Sequence, residues 1–293
     1  MPSHDFLMHS RSAAEGVDEL LSLPREAAGW DWMSFFVRRL APGGSYILLS
    51  HSEEAVIVFL GGKCVADWGA GKQVIGEREN VFDGLPYAIY LPAGTQLQLK
   101  AETICEFAEC RVPSTARHEP RLIRPQDAKA SLRGGGNASR QIVDLMPPTF
   151  DADKLMVVEV YTPSGNWSSF PPHKHDVHNP PGEVDLDEIY YYRIDRPGGY
   201  AHQRLYTRDG RRDLTVTVHD GDAVLVRDGF HPVVAGHGYN VYYLNCLAGS
   251  ARLLSNTEDP DHVWVRSTWS QVDPRLPLVG PEASSKKNRA MGH

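Results

Sequence analysis

The residues best suited to chemistry are two histidines two positions apart, His173 and His175, followed by Glu188 and His231. Side chains alternate between the two faces of a β-strand, so an H-x-H pair on a strand places both imidazoles on one face. Glu188 begins an aromatic segment, and His231 directly follows a Gly-Phe pair. Three imidazoles and one carboxylate predict a mixed nitrogen and oxygen site for a divalent ion such as Zn, Mn, Fe, Co or Ni.

Two alternatives to this ligand set stay open from the residues alone. An H-x-H pair by itself is a weak motif, and two unrelated surface histidines would produce the same pattern. Glu183 competes with Glu188 for the carboxylate position, and we prefer Glu188 because it leads directly into an aromatic strand. Glu183, Asp185 and Asp187 are then expected to form a solvated loop face.

Candidates for catalysis and substrate binding lie on neighbouring predicted strands. Tyr190 and Tyr192 share a face with Glu188 by the two-residue period of a strand. Tyr192 is the predicted catalytic residue, with packing in the interior as the alternative, whereas packing is the favoured interpretation for Tyr190. Gln203 and Arg204 are the predicted substrate-binding residues, because a guanidinium can hold a carboxylate bidentately. An ordinary surface arginine is the alternative for Arg204.

Short apolar runs rich in β-branched and aromatic residues supply the elements that must position these side chains. They lie at residues 45–50, 55–60, 87–91, 154–161, 188–193, 214–219, 223–226 and 241–245, with Gly-Gly, Asp-Gly and Pro-Gly pairs between them. Such runs suit a pleated, half-buried surface, and many short strands with tight turns predict a sandwich or barrel. Helical periodicity is scarce, and residues 17–23 are the best candidate for a helix.

A stretch over residues 113–140, first polar with prolines and then Gly-rich, divides the chain. Gly-bounded strands recur at comparable places in the two halves, and this weak internal repeat indicates a duplication. We therefore predict domains over residues 1–130 and 131–280, followed by a disordered tail over residues 281–293.

Composition limits the classes of partner. The 293 residues include 30 Lys and Arg against 37 Asp and Glu, a formal net charge of −7, which argues against nucleic acid. The four cysteines form no C-x-x-C pair, and no secretory signal or long apolar run is present. The expectation is a cytoplasmic protein that is not inserted in a membrane and keeps free thiols.

The order of the candidate ligands resembles the cupin signature. Residues 165–188 resemble the first cupin motif, and residues 221–231 resemble the second. The gap between His175 and Glu188 is longer than usual, and Arg227 stands where Pro is common. The first half lacks an H-x-H pair and has Thr95 and Gln96 at its second-motif position, so we expect it to hold no metal.

A closer resemblance is to the 5-deoxy-glucuronate isomerase family, which is related to the 5-keto-4-deoxyuronate isomerases. It is strong over residues 134–265 and fainter over residues 1–130. The segments that carry it are 173–176, 187–193, 200–207, 220–226, 229–233, 238–245 and 256–262.

This resemblance implies an all-β bicupin, two tandem jelly-roll barrels of which only the C-terminal one binds metal. It also implies a metal-dependent aldose–ketose isomerase of myo-inositol catabolism that converts 5-deoxy-glucuronate to 5-dehydro-2-deoxy-gluconate. The partner is then a small-molecule sugar acid, and assembly into a homo-oligomer stays open. Two rival functions are a metal-dependent cupin dioxygenase and a non-catalytic sugar-binding cupin, because ligand types alone do not choose between them.

Overall fold

The computed structural model of the chain describes residues 6–11 and 18–280, and strands dominate these ranges. The strands of the first part are β1 (Leu7–His9), β2 (Glu19–Leu23), β3 (Ser34–Leu40), β4 (Ser45–Leu49), β5 (Glu53–Gly61), β6 (Cys64–Asp67), β7 (Gln73–Ile75), β8 (Ala88–Leu91), β9 (Gln96–Ala101), β10 (Cys105–Pro113) and β11 (Arg121–Ile123). The strands of the second part are β12 (Lys129–Arg133), β13 (Arg140–Met146), β14 (Met156–Thr162), β15 (Trp167–Ser168), β16 (His173–Lys174), β17 (Leu186–Ile194), β18 (Ala201–Tyr206), β19 (Asp213–Val218), β20 (Asp222–Val226), β21 (Val233–Ala235), β22 (Val241–Gly249) and β23 (Thr257–Glu258). A short α-helix, α1 (Arg25–Ala28), and a 3₁₀ helix (Val263–Thr268) complete the described elements.

The first half consists of two sheets that face each other. A six-stranded sheet has the order β11-β8-β5-β10-β3-β2, and a four-stranded sheet has the order β4-β9-β6-β7. Phe59, Leu97 and Phe107 lie in the apolar core between them. Strand β9 alternates exposed and buried residues because one of its faces meets water, whereas the central strand β5 is an almost continuous buried run.

The second half repeats this plan with larger sheets. A seven-stranded sheet has the order β1-β20-β17-β22-β14-β13-β12, and it faces a four-stranded sheet of order β15-β21-β18-β19. Strands β16 and β23 form a small third sheet. Tyr192, Val216 and Tyr243 belong to the core between the two main sheets. The prediction of an all-β chain is confirmed.

The two large sheets pack against each other and fix the relative position of the halves. Their shared core includes Val56 and Tyr90 from the first half, with Val157, Tyr191 and Leu244 from the second. Burial of apolar surface is the main favourable term in folding, so this contact makes the two halves one packed body.

Two local expectations differ from the structure, and a third is not tested by it. Residues 17–23 were predicted as a helix, but Glu19–Leu23 forms strand β2 on the edge of β3; residue 17 lies outside the described residues. A helix this short cannot repay its nucleation cost, and pairing with β3 satisfies the backbone instead. The Gly-rich stretch is the turn of a hairpin between β12 and β13. The predicted tail over residues 281–293 lies outside the described residues.

Strand β1 adds one connection between the halves. Leu7 and His9 pair antiparallel with Val224 and Asp222 of strand β20, at the edge of the seven-stranded sheet. His9 Nδ1 also lies 2.7 Å from an Asp222 carboxylate oxygen. The first described strand therefore belongs to a sheet built by the second half.

Across the described ranges, no helix is both long enough and apolar enough to cross a bilayer.

Candidate metal centre and adjoining cavity

Three separate parts of the second half deliver the candidate ligands to one place. Glu188 lies on β17, a central strand between β20 and β22, where it faces Val226 and Leu247. His173 lies on the two-residue strand β16, and His175 follows immediately after it. His231 comes from the loop that connects β20 to β21.

The ligand atoms of His175, Glu188 and His231 all lie within 4.8 Å of one another, and all three residues are buried. One Glu188 carboxylate oxygen is 2.9 Å from His175 Nε2 and 3.3 Å from His231 Nε2. The His173 ring is adjacent, with its centroid 4.8 Å from that of His231 and 6.3 Å from that of His175. The structure thus brings all four predicted ligands together.

Backbone carbonyls orient all three imidazoles. Nδ1 lies 3.1 Å from the Leu186 carbonyl in His175, 3.0 Å from the Gly229 carbonyl in His231 and 3.4 Å from the Pro171 carbonyl in His173. A carbonyl oxygen can only accept a hydrogen bond, so each Nδ1 carries the proton and each Nε2 presents a lone pair. This is the usual outer arrangement of metal-binding histidines.

An unsatisfied buried atom shows that these residues fit a cation. His231 Nε2 is buried without a hydrogen-bond partner in the described part of the chain. Three imidazole lone pairs and one carboxylate form a group of acceptors that lacks a donor, and buried polar groups are rarely left in that state. A divalent ion satisfies all four at once.

Burial and mutual contact set the ionisation of this cluster. Burial, reinforced by the neighbouring His231 and His175 rings, lowers the pKa of His173 to about 3. Burial would raise the pKa of Glu188, but hydrogen bonds and positive charge from His175 and His231, present when those rings carry a second proton, lower it to about 2. A neutral His173 beside an ionised carboxylate is the protonation state that metal binding requires.

A cavity of about 480 Å³ opens beside this cluster. Its lining includes the ligand side chains, a group of hydroxyl-bearing residues, three arginines and an apolar floor, together with acidic and amide side chains. The ligands are His173, His175 and Glu188; the hydroxyl-bearing residues include Ser169, Tyr190 and Tyr243; the arginines are Arg133, Arg140 and Arg266; and the floor includes Ile142, Val158, Val160 and Leu247.

The hydroxyl groups form a connected chain. Ser169 Oγ lies 2.8 Å from Tyr190 Oη and 3.4 Å from Tyr243 Oη, and Ser168 Oγ hydrogen-bonds to Tyr243 Oη. Ser169 has a φ of 50°, a left-handed conformation that is unfavourable for a residue other than glycine and recurs at functional sites. Burial raises the pKa of Tyr190 and of Tyr243, so both phenols stay protonated.

Sequence reasoning missed Ser169 and Tyr243 and favoured simple packing for Tyr190, which in the structure lines the cavity. Tyr243 lies opposite Tyr192 in the register of β17 and β22. Pairing of the aromatic run on β17 with the apolar run on β22 would have been the signal for Tyr243. Ser169 carries no comparable signal, because its position depends on backbone conformation.

The other predicted site residues lie behind or outside the cavity. Tyr192 is fully buried and donates a 2.8 Å hydrogen bond to Gln203, which in turn donates to the His231 carbonyl at 3.2 Å. Arg204 donates two 2.8 Å hydrogen bonds to Asp213, and its side chain is 42% exposed. Neighbours on a strand point to opposite faces, so an inward Gln203 places Arg204 outward. The structure does not bring Arg204 to the cavity.

Glu183, the alternative to Glu188 as the carboxylate ligand, has a different role, and the prediction that it lies on a solvated loop face is wrong. Glu183 is buried, and it accepts hydrogen bonds from Lys174 Nζ at 2.8 Å and from the backbone amides of Asp176 and Val177 at 2.9 and 3.0 Å. Asp187 is also buried and accepts from the Trp32 amide at 2.7 Å. These carboxylates hold loops in place, because each satisfies backbone donors that no strand pairs.

Comparison with known proteins gives a consistent result. The model of the KduI/IolB family matches residues 6–265. The 5-deoxy-glucuronate isomerase of Geobacillus thermodenitrificans is 41% identical over 89% of this chain and 95% of its own length. The crystal structure of an IolB-like protein from Salmonella typhimurium is 35% identical, with a TM-score of 0.85 over 89% of this chain and 98% of that one.

A more distant likeness concerns the fold alone. The Lactobacillus farciminis oxalate decarboxylase superposes with a TM-score of 0.61 at 10% identity, over 96% of both chains. Together with the two tandem pairs of sheets, this likeness confirms the predicted bicupin fold. Within each half, the facing sheets are hydrogen-bonded separately and do not close into a single ring.

Proposed function

We propose a function from the premise that this chain belongs to the KduI/IolB family. The chain is a sugar isomerase that converts 5-deoxy-glucuronate to 5-dehydro-2-deoxy-gluconate by an aldose–ketose change, and its relatives are named 5-deoxy-glucuronate isomerase. The observation that carries the proposal is the buried set of acceptors at His175, Glu188 and His231, which opens onto a cavity lined by hydroxyl groups.

A divalent metal ion is the cofactor in this proposal, and His173, His175, Glu188 and His231 are the residues that would hold it. Bound there, such an ion supplies a Lewis acid that polarises the substrate carbonyl and orients the neighbouring oxygen. Ligand types do not choose among Zn, Mn, Fe, Co and Ni.

The chemistry requires two proton movements. C2 of the aldose loses a proton and C1 gains one, while the proton of the C2 hydroxyl is lost and the former aldehyde oxygen gains one. An enediolate lies between these steps, and its charge must be stabilised where it develops. Tyr190 and Tyr243 are protonated phenols on the cavity wall, so they can donate hydrogen bonds to the developing oxyanion.

We assign the proton transfer between the substrate oxygens to this hydroxyl chain. Ser169 lies between Tyr190 and Tyr243, so a proton released at one substrate oxygen can be passed along to the other. Tyr192 and Gln203 act as positioning residues in this scheme, because they support the backbone of His231 from behind.

The first half serves as a metal-free scaffold, and we keep the division into domains over residues 1–130 and 131–280 as part of the proposal. Support comes from Glu54, a buried carboxylate of the first half. It accepts hydrogen bonds from the backbone amides of Asp153, Lys154 and Leu155 at 2.9, 2.6 and 2.7 Å, and from Tyr90 at 2.8 Å. Its acidic side chain therefore anchors the second half.

The test is turnover of 5-deoxy-glucuronate by metal-replete protein in deuterated water, followed by NMR. We expect the keto acid, with deuterium at the carbon that was C1, and no consumption of oxygen. Oxygen uptake coupled to turnover would favour a cupin dioxygenase. Binding of the sugar acid without any product would favour a sugar-binding module.

A further inference from the structure

Arg140 is a partly buried cation without a carboxylate partner among the described residues. Its guanidinium donates to the carbonyls of Ala138 at 3.1 Å and Phe170 at 3.2 Å, and no acidic side chain of the described residues lies within ion-pair distance. Other arginines of this chain do pair with acids, such as Arg275 with Asp273. Burial lowers the pKa of Arg140, and the charge of Arg133 acts in the same direction. A charge that is partly removed from water is stabilised by a counter-charge.

Two further arginines increase the positive charge on this wall of the cavity. Arg133 lies directly opposite Arg140 in the hairpin of β12 and β13, and like charges in that position repel each other. Arg266 lines the same cavity and is paired with Glu258. Asp144 also lines it, and Arg133 favours the charged form of that carboxylate against the effect of burial. Arg140 is the least exposed of the three arginines, and it has no ion pair among the described residues.

Glycines of the hairpin turn make this arrangement possible. Gly134 has a φ of 82°, and a Cβ there would lie 2.1 Å from the Ala138 carbonyl oxygen. A Cβ on Gly135 would lie 2.7 Å from both the Ser270 carbonyl oxygen and Trp269 Cβ. The turn therefore lets Trp269 and Ser270, which directly follow the 3₁₀ helix, approach closely. Arg266 of that helix and Trp269 both line the cavity.

We propose that Arg140, assisted by Arg133 and Arg266, binds the carboxylate of a sugar-acid substrate while the carbonyl end lies at the histidine cluster. The inference rests on the proposed function and adds the group that selects acids over neutral sugars. Phe170, whose carbonyl accepts from Arg140, precedes His173 by three residues, so one short segment links Arg140 to the histidine cluster. A guanidinium is suited to this task because it can hold a carboxylate with two parallel hydrogen bonds.

Binding of two unreactive six-carbon ligands tests the inference without turnover. D-gluconate has a carboxylate but no aldehyde, and D-glucitol is its neutral counterpart. Titration calorimetry of the metal-replete protein should show gluconate binding at least about tenfold more tightly than glucitol. Arg140→Gln should weaken gluconate by about 10- to 100-fold, leave glucitol unchanged and leave the metal content unchanged.

The matched control is Arg211→Gln, because Arg211 is an exposed arginine that pairs with Asp209 and does not line the cavity. It should bind both ligands as the unmodified protein does. If Arg140→Gln fails to fold, Arg140→Lys keeps the charge and decides the matter, with weakened but still selective gluconate binding expected. Equal affinity for gluconate and glucitol in the unmodified protein would overturn the inference, and so would unchanged gluconate binding in the folded Arg140→Gln variant.

The outcome of this binding experiment does not depend on whether the protein is an isomerase. Selective gluconate binding that Arg140→Gln abolishes, in a protein that converts no aldehyde, supports the anion site and removes the isomerase. Normal isomerisation with gluconate binding that does not depend on Arg140 removes the anion site and keeps the isomerase.

Discussion

Arg78 of the first half and Glu159 of the second half form a buried ion pair, with Arg78 Nη2 2.6 Å from a Glu159 carboxylate oxygen. Arg78 also donates to the Phe59 carbonyl at 2.8 Å, and Tyr161 and Tyr242 donate to Glu159 at 2.8 and 2.9 Å. Burial would lower the pKa of Arg78, but Glu159 raises it above its ordinary value, so the pair is ionised. This network lies where the two large sheets meet.

Breaking one side of this pair should destabilise the whole protein. Glu159→Gln would leave Arg78 buried and unpaired, and we expect the free energy of unfolding to fall by about 3–5 kcal/mol. Urea unfolding followed by circular dichroism measures the loss. Asp213→Asn, which removes an exposed partner of Arg204, should cost less than about 1 kcal/mol. The double variant Arg78→Met with Glu159→Leu should recover most of the loss. Similar costs for Glu159→Gln and Asp213→Asn would contradict a buried, ionised pair.

Loss of a candidate ligand should remove metal and activity together. His231→Ala and Glu188→Gln each delete one of the converging acceptors, so metal affinity should fall at least about tenfold and turnover should fall with it. Metal analysis of the purified variants beside an isomerisation assay checks this. His219→Ala changes an exposed histidine and should retain both metal and turnover. A His231→Ala variant with full metal content would exclude His231 as a ligand.

Metal removal should abolish activity but not the fold. The core that joins the two halves and the core of the first half contain none of the ligand residues, so dialysis against a chelator should leave the far-ultraviolet circular dichroism spectrum unchanged. Readdition of a divalent ion should restore turnover and raise the midpoint of thermal unfolding, because the ion binds only the folded chain. Full activity after exhaustive chelation would refute the metal dependence.

Substitution of Tyr190 and substitution of Tyr192 on β17 should have different effects on kcat. Tyr190→Phe removes a phenol from the cavity wall, and kcat should fall about 10²- to 10⁴-fold with metal content unchanged. Tyr192→Phe removes the hydrogen bond to Gln203, and we expect a loss of about 1 kcal/mol in stability with a much smaller effect on kcat. The reverse order of effects on kcat would return the catalytic assignment to Tyr192.

The Gly-rich turn should be intolerant of a single added methyl group. Gly135→Ala places a Cβ against Ser270 and Trp269, so the segment that carries Arg266 must move and KM for the sugar acid should rise. Gly84→Ala is the matched control, because a Cβ there meets nothing within 4 Å. Identical KM values for the two variants would show that close approach at Gly135 does not shape the cavity.

Local periodicity was sufficient to predict which face of a strand some residues occupy, but it could not do so for others. The two-residue alternation of a strand predicted that Glu188, Tyr190 and Tyr192 share a face, and the structure places all three on the inner side of β17. The same rule could not decide whether Gln203 or Arg204 points inward, because both are polar and either register suits an isolated strand.

Arg140 shows what a local pattern cannot reveal. Its environment depends on the hairpin partner Arg133 and on a segment near Trp269 more than a hundred residues away. The Gly-rich stretch was interpreted as a linker for the same reason, since glycine indicates a turn or a close approach but does not name the approaching partner.

The pairing of strand β1 with β20 limits when the seven-stranded sheet can form during synthesis. The pairing partner of Leu7–His9 in β20, which includes Asp222–Val224, is synthesised more than two hundred residues after Leu7–His9 itself. At translation rates of about 5–20 residues per second, the strand must wait roughly ten seconds or more without its neighbour. Final assembly of the sheet that carries Glu188 is therefore a late event, which cannot finish during synthesis of the first half.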